Sequence, residues 1–291
     1  MTVTITGTGV PNPAPGRAGP GVLVRVGDTA LQFDAGRATA LRITEAGLSV
    51  TDLTAVFVTH HHSDHLSGLA DVIFARWVML QTGYTPLPVV APNGPSTTFL
   101  ERMFDPWADD IAVRLEHTGR PDGPDIDIVG FDAPESSSVV WSNDDVEVMA
   151  VSVRHEPVTP SVAYVVRSDD GAVLISGDTR VCEEIEQAAA DVDVVVHEAL
   201  RTGALRPAFD RLPQLERITH YHADTVELGG LASRAEVPLL VLTHLIPAPS
   251  TPEQVAGFEA DIREGGYEGP LVVAEDLLTV TLDNGTASVI P

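Results

Sequence analysis

The sequence has no lysine, a single cysteine (Cys182) and few aromatic residues. One cysteine cannot close a disulfide within the chain, so no oxidising compartment is implied. No apolar run approaches the roughly 20 residues that span a bilayer, and the first residues lack the basic and apolar regions of a signal peptide. We therefore expect a soluble cytoplasmic protein that has no membrane partner.

Positive charge is also scarce. The 17 basic residues, all arginine, stand against 42 acidic ones, which gives a formal net charge of −25. Binding to a phosphate backbone requires basic side chains that neutralise it. The composition therefore disfavours nucleic acid and anionic membranes as partners.

The apolar content is ample for a folded protein, because 44% of the 291 residues are hydrophobic. Strand-like and helix-like patterns alternate in both halves without a disordered linker. This alternation predicts a single α/β domain over residues 1–291, with two sheets covered by outer helices. Residues 105–144 show little periodicity and cluster Pro, Gly, Asp and Ser, so we expect an irregular insertion or lid there.

Four histidines and an aspartate lie close together after an apolar run at 55–59 that predicts a buried strand. They are His60, His61, His62, Asp64 and His65. Ligands collect where strands end, and imidazole together with carboxylate suits a borderline divalent cation such as zinc. A solvated His-rich turn is the alternative interpretation.

Three further residues that can bind a metal follow predicted strands. His155, Asp178 and His244 each stand at such a strand end. A lone histidine in this position is more often a hydrogen-bonded loop residue. Three such positions together with the first cluster favour a metal site.

The ordered motifs resemble the metallo-β-lactamase superfamily. They are Phe-Asp-Ala-Gly at 33–36, Thr-His-His-His-Ser-Asp-His at 59–65, Ser-Gly-Asp-Thr at 176–179 and Thr-His at 243–244. The resemblance implies a four-layer αββα sandwich with up to two metals, which we expect to be two Zn²⁺, with Mn²⁺ or Fe also compatible. The ligands it implies are His60, His62 and His155 on one metal, Asp64, His65 and His244 on the other, and Asp178 bridging both.

Within the superfamily the chain is most similar to the ribonuclease Z and arylsulfatase branch. The matching segments are Gly-Thr-Gly-Val-Pro at 7–11, His-Glu-Ala-Leu at 197–200 and His-Ala-Asp-Thr-Val-Glu at 222–227. Leu200 departs from the threonine of that branch. The resemblance implies that His222 donates a proton to the leaving group and that Glu198 orients it, although His220 is an alternative donor. Dimers are common among such proteins, so a homodimer is also compatible.

This site predicts a metal-dependent hydrolase. Two cations can activate a bridging hydroxide, which Asp64 would keep oriented. His155 and Asp178 are only 23 residues apart, which leaves no room for the basic arm that ribonucleases of this branch insert there. With the acidic charge, this spacing favours a small-molecule substrate, a phosphodiester or sulfate ester. The alternatives are a lactone or β-lactam hydrolase, a tRNA 3′-processing endonuclease and a non-hydrolytic metal-binding protein.

Overall fold

The computed structural model describes residues 1–80 and 82–290. Within them the strands are β1 (Thr2–Gly7), β2 (Gly21–Val26), β3 (Thr29–Phe33), β4 (Ala55–Phe57), β5 (Leu87–Pro92), β6 (Ile126–Phe131), β7 (Ser137–Ser142), β8 (Glu147–Ser152), β9 (Val162–Ser168), β10 (Gly171–Ile175), β11 (Val194–Leu200), β12 (Leu240–Ile246), β13 (Leu271–Val273), β14 (Thr279–Asp283) and β15 (Thr286–Ile290).

Helices connect many of these strands. They are α1 (Thr39–Glu45), α2 (Ser63–Leu66), α3 (Leu69–Met79), α4 (Pro95–Arg102), α5 (Ala108–Thr118), α6 (Glu183–Ala189), α7 (Thr202–Leu205), α8 (Pro213–Ile218), α9 (Thr225–Arg234) and α10 (Pro252–Glu264), with short 3-10 turns at Val50–Asp52, Asp105–Trp107 and Arg206–Ala208. Among the described residues, no helix combines the length and apolar character needed to cross a bilayer.

The strands form two sheets that pack face to face. One has the order β15-β14-β1-β2-β3-β4-β5-β6 and the other the order β13-β12-β11-β10-β9-β8-β7. From β3 to β6 and from β10 to β13 the neighbours are parallel. The carboxyl ends of parallel strands meet at one edge of a sheet, where side chains that follow them can converge.

Side chains of β11 show how the layers are held together. Val194 and Val196 pack into the core between the sheets, whereas Val195 and Ala199 face the outer helices. Strands buried on both faces consist of nearly continuous apolar residues, as this one does. A third cluster joins the first sheet to α1, α3 and α4. The predicted αββα sandwich is thus confirmed.

The prediction of an irregular segment at 105–144 is wrong. This stretch contains α5, β6 and β7, and β6 and β7 continue the two sheets at their edges. No residue of α5 is buried, and both strands are only partly covered. Sequence patterns reflect burial, so these exposed elements left little signal. Trp141 of β7 packs edge-on against Phe57 between the sheets, at 5.9 Å between ring centroids, so this part of the segment belongs to the core and not to a lid.

Candidate active site

Four chain segments bring their polar side chains to one end of the sandwich. The His-rich segment follows β4 and leads into α2, while His155 and Asp178 lie just after β8 and β10. His244 lies within β12 as the extra residue of a β-bulge, opposite the step from Glu198 to Ala199. Its φ of 44° turns the backbone locally, which is how bulges redirect side chains.

The first group of converging side chains consists of His60, His62, His155 and Asp178. One nitrogen or oxygen atom from each lies within 4.8 Å of those of the others. The Nε2 atom of His155 is 3.2 Å from Nδ1 of His62, and Nε2 of His60 is 3.8 Å from Oδ2 of Asp178. Three imidazoles and a carboxylate therefore surround one small volume.

The second group consists of Asp64, His65 and His244. The Nε2 atom of His244 lies 3.3 Å from Oδ2 of Asp64 and 3.5 Å from Oδ2 of Asp178. The Nε2 atom of His65 lies 3.2 Å from the other oxygen, Oδ1, of Asp178. The buried Asp178 carboxylate thus lies between the two groups.

Unpartnered atoms test whether this cluster fits a metal. The Nε2 atoms of His60 and His65 are buried and make no hydrogen bond within the described part of the chain, although both face Asp178. A buried polar atom left unsatisfied costs about 1–3 kcal/mol. Imidazole nitrogens and carboxylate oxygens are donors for borderline divalent cations. The cluster is therefore compatible with divalent metal binding.

Asp34, to which the sequence analysis assigned no role, orients two of these imidazoles. Its Oδ2 accepts hydrogen bonds from Nδ1 of His65 at 2.7 Å and from Oγ1 of Thr59 at 2.8 Å. The Thr59 hydroxyl in turn lies 2.9 Å from Nδ1 of His60. With Nδ1 engaged as a donor, the neutral form of each ring presents the lone pair of Nε2 to the cluster. The signal for Asp34 was its place directly after β3, beside the strand that leads to the histidines.

His155 is held in the same way by the main chain. Its Nδ1 atom lies 2.8 Å from the carbonyl oxygen of Tyr221, and the Tyr221 ring packs edge-on against its imidazole at 5.2 Å between centroids. Tyr221 was also missed by the sequence analysis, because a backbone carbonyl gives no residue-specific signal.

Burial keeps several imidazoles neutral. Desolvation lowers the pKa of His60 and His155, and it lowers the pKa of His62 to about 4. His65 differs, because the Asp178 and Asp34 carboxylates outweigh its burial and raise its pKa. Neutral imidazole is the form that binds metals, so the first group is ready for a cation at neutral pH.

A buried histidine–glutamate pair lies next to the cluster. The Nδ1 atom of His222 is 2.8 Å from Oε1 of Glu198 and 4.0 Å from Oδ2 of Asp178. Burial alone would lower the pKa of His222, but the Glu198 carboxylate and its hydrogen bond outweigh this effect and raise the pKa to about 9. The alternative donor, His220, is exposed and makes no side-chain hydrogen bond among the described residues.

The structure thus brings together every side chain that the sequence predicted for the metals and the proton donor. His61, which the sequence analysis left outside the ligand set, belongs to neither group. That these side chains bind metal and carry the chemistry stays a prediction.

Comparison with known proteins identifies the family. The family model described as "Beta-lactamase superfamily domain" matches residues 22–245. A protein of Mycobacterium bovis (strain BCG / Pasteur 1173P2) named Ribonuclease Z is 33% identical over 283 residues, which cover 95% of this chain and 96% of that protein. The Ribonuclease Z of Mycobacterium sp. (strain KMS) is 35% identical and covers 89% of each chain.

Solved structures agree on the fold. The metallo-beta-lactamase fold protein YhfI from Bacillus subtilis is similar with a TM-score of 0.71 at 18% identity, covering 96% of this chain and 98% of that one. The short form of human tRNase Z is similar with a TM-score of 0.66 at 21% identity, covering 97% and 99%.

These relatives correct the predicted partners. The expectation of a small-molecule substrate, with nucleic acid disfavoured, is wrong, because relatives aligned along nearly the whole chain are named ribonucleases. Net charge was a poor guide, because charges separated by more than a Debye length of about 8 Å are largely screened in physiological salt. The field at a site depends on the charges close to it.

The fold, the His and Asp cluster and these relatives agree with one another. The chain belongs to the metallo-β-lactamase superfamily, in which it is a ribonuclease Z-like, metal-dependent hydrolase.

Proposed function

We propose that this protein is a zinc-dependent endonuclease that hydrolyses a phosphodiester bond at the 3′ side of tRNA precursors. The main support is the buried Glu198–His222 pair beside Asp178, in which Nδ1 of His222 lies 2.8 Å from Oε1 of Glu198. A nuclease needs such a group, because the alkoxide that leaves a phosphodiester is strongly basic and must be protonated. The ribonuclease names of the relatives supply the substrate class.

Two zinc ions fit the donor groups. His60, His62 and His155 would hold one ion, Asp64, His65 and His244 the other, and Asp178 would contact both. When bound, such a pair of cations acts as a Lewis acid on water and on phosphoryl oxygens.

Asp64 orients the attacking water in this proposal. Its buried carboxylate lies with Oδ2 3.3 Å from Nε2 of His244. Burial alone would raise the pKa of Asp64, but the neighbouring histidines outweigh it and lower the pKa. The side chain is therefore ionised at neutral pH and can accept a hydrogen bond from the water.

His222 completes the reaction. The P–O bond to the leaving oxygen breaks as a P–O bond to the water oxygen forms. The attacking water gives up one proton to solvent, and the leaving oxygen takes one. His222 supplies that proton, since its pKa of about 9 keeps it protonated at neutral pH. Glu198 engages Nδ1, which leaves the opposite ring nitrogen free to face the substrate.

A cleavage assay tests the proposal. The purified protein is incubated with a 5′-labelled tRNA precursor that carries a 3′ trailer, and its metal content is measured by mass spectrometry. We expect one cleavage at the trailer junction and about two zinc ions per chain, as in two-metal hydrolases. Hydrolysis of bis(p-nitrophenyl) phosphate controls for a competent site. Turnover of this ester without cleavage of any tRNA precursor would refute the substrate while leaving the hydrolase intact.

A further inference from the structure

Glu198 and His222 are separated in the chain by a segment of twenty residues at the surface. We call residues 201–220 the arginine segment; it contains α7, the 3-10 turn at 206–208 and α8. It leaves the site after Leu200 and returns at Tyr221. Its ends are tied together, since the amide of Leu200 donates to the carbonyl oxygen of Ala223 at 2.8 Å.

Apolar side chains fix this segment against the rim of the site. Leu205 is buried, and Phe209 and Ile218 pack partly buried against a small cluster that includes Val10 and Ile246. Ile246 stands two residues after His244. The apolar side of the segment is therefore anchored beside the candidate active site, and its polar side faces solvent.

The polar side carries positive charge in an acidic protein. The segment contains Arg201, Arg206, Arg211 and Arg217, against two acidic residues. Arg201 pairs with Asp261 at 2.7 Å. The other three arginines are exposed.

These three guanidinium groups form no ion pair and no hydrogen bond within residues 1–80 and 82–290. Other exposed arginines, such as Arg154 and Arg234, pair with a carboxylate at 2.6–2.7 Å, whereas the exposed Arg180 forms no ion pair among the described residues. In a chain with 42 acidic residues for 17 arginines, three exposed arginines without a carboxylate partner in one segment that holds two acidic residues give this segment a small excess of positive charge.

We propose that Arg206, Arg211 and Arg217 bind backbone phosphates of the RNA next to the scissile bond. This inference rests on the proposed function and adds the surface that receives the substrate. Arginine donates charge-assisted hydrogen bonds to phosphate, and the carboxylates elsewhere are screened beyond about 8 Å. The segment thus attracts a polyanion locally, although the net charge of the whole chain is negative.

The test compares two triple variants of equal charge. One is Arg206→Ala, Arg211→Ala and Arg217→Ala. The control is Arg102→Ala, Arg114→Ala and Arg234→Ala, three exposed arginines with carboxylate partners elsewhere. Binding of fluorescent mature tRNA, which has no trailer to remove, is measured by anisotropy on the metal-loaded proteins at several salt concentrations.

We expect the segment variant to bind tRNA about ten-fold or more weakly in low salt. The slope of log Kd against log salt should fall by about 2–3, roughly one for each lost phosphate contact. The control should change Kd less than about two-fold, because screened distant charges contribute little. Arg206→Lys, Arg211→Lys and Arg217→Lys combined should retain most of the binding, which separates loss of charge from a folding defect.

The outcomes separate this inference from the proposed function. If the wild type cleaves tRNA precursors but the segment variant binds tRNA as tightly as the control, the inference is overturned and the function stands. If the wild type cleaves no precursor, yet the segment variant alone loses tRNA binding, the assignment of RNA binding to these three arginines stands and the proposed cleavage is refuted. Absence of tRNA binding by the wild type would overturn the inference.

Discussion

The Nδ1 atom of His222 lies 2.8 Å from Oε1 of Glu198, and both side chains are buried beside the His and Asp cluster. Glu198 is also fixed by the backbone amide of Thr179, which donates to the same oxygen at 3.1 Å. The carboxylate is thus held in place by the turn that contains Asp178. It sets both the orientation and the charge of the imidazole.

Replacing Glu198 by glutamine should change the pH profile. His222 is protonated below its pKa of about 9 and loses its proton as the pH rises through that value. Without the carboxylate, burial lowers this pKa, so the alkaline limb of kcat/KM should move to lower pH. Activity on RNA at pH 8 should fall by about ten-fold or more. An unshifted alkaline limb in Glu198→Gln would contradict this assignment.

Two histidine variants distinguish the candidate proton donors. His222→Ala should lower RNA cleavage by about 10²–10⁴-fold, the usual contribution of a general acid. The loss should be smaller on bis(p-nitrophenyl) phosphate, because p-nitrophenolate leaves without needing a proton. His220→Ala is the matched control and should retain activity, since His220 is exposed. A larger loss in His220→Ala than in His222→Ala would reverse the assignment.

Asp34→Asn should weaken metal binding although Asp34 belongs to neither ligand group. Asparagine tolerates the φ of 52° at this position, but its amide cannot accept all the hydrogen bonds from His65 and Thr59. Loss of such support costs about 10–100-fold in metal affinity. Zinc affinity is measured by competition with a chromogenic chelator. Asp28→Asn, at an exposed turn, is the control with the same charge change, and equal affinities in the two variants would rule out the role of Asp34.

Gly177→Ala should perturb the site through Thr59. Gly177 has a φ of +58°, and an added Cβ would lie 2.8 Å from Cβ of Thr59, whose hydroxyl braces His60. Gly27 has a similar φ of +55° with nothing within 4 Å of such a Cβ.

Denaturant unfolding should separate these two glycine variants. Gly27→Ala carries backbone strain alone and should cost about 1 kcal/mol. Gly177→Ala adds overpacking and should cost about 3 kcal/mol, with reduced zinc content. Equal destabilisation of the two variants would mean that the Thr59 side chain moves aside without a cost in stability.

The histidine cluster at 60–65 was readable from the sequence because its members are close together in the chain and follow a buried strand. His155, Asp178 and His244 were readable because each follows or interrupts a strand of the core. The exposed elements of 105–144 could not be predicted from the sequence, because α5 buries no residue and β6 and β7 lie at sheet edges. The net charge led to a wrong prediction of the substrate class, because the total charge of the chain carries no information about where the charges lie.

The sequence by itself indicated the family and, through the resemblance that its motifs carry, the αββα fold and the residues of the candidate site, because such motifs are local in the chain. Only the tertiary structure decided which atoms face one another. In the folded chain His222 contacts Glu198, Asp34 accepts a hydrogen bond from His65, and the arginine segment packs against the rim of the candidate active site. These relationships join residues far apart in the chain, and packing of the two sheets brings them within hydrogen-bonding distance.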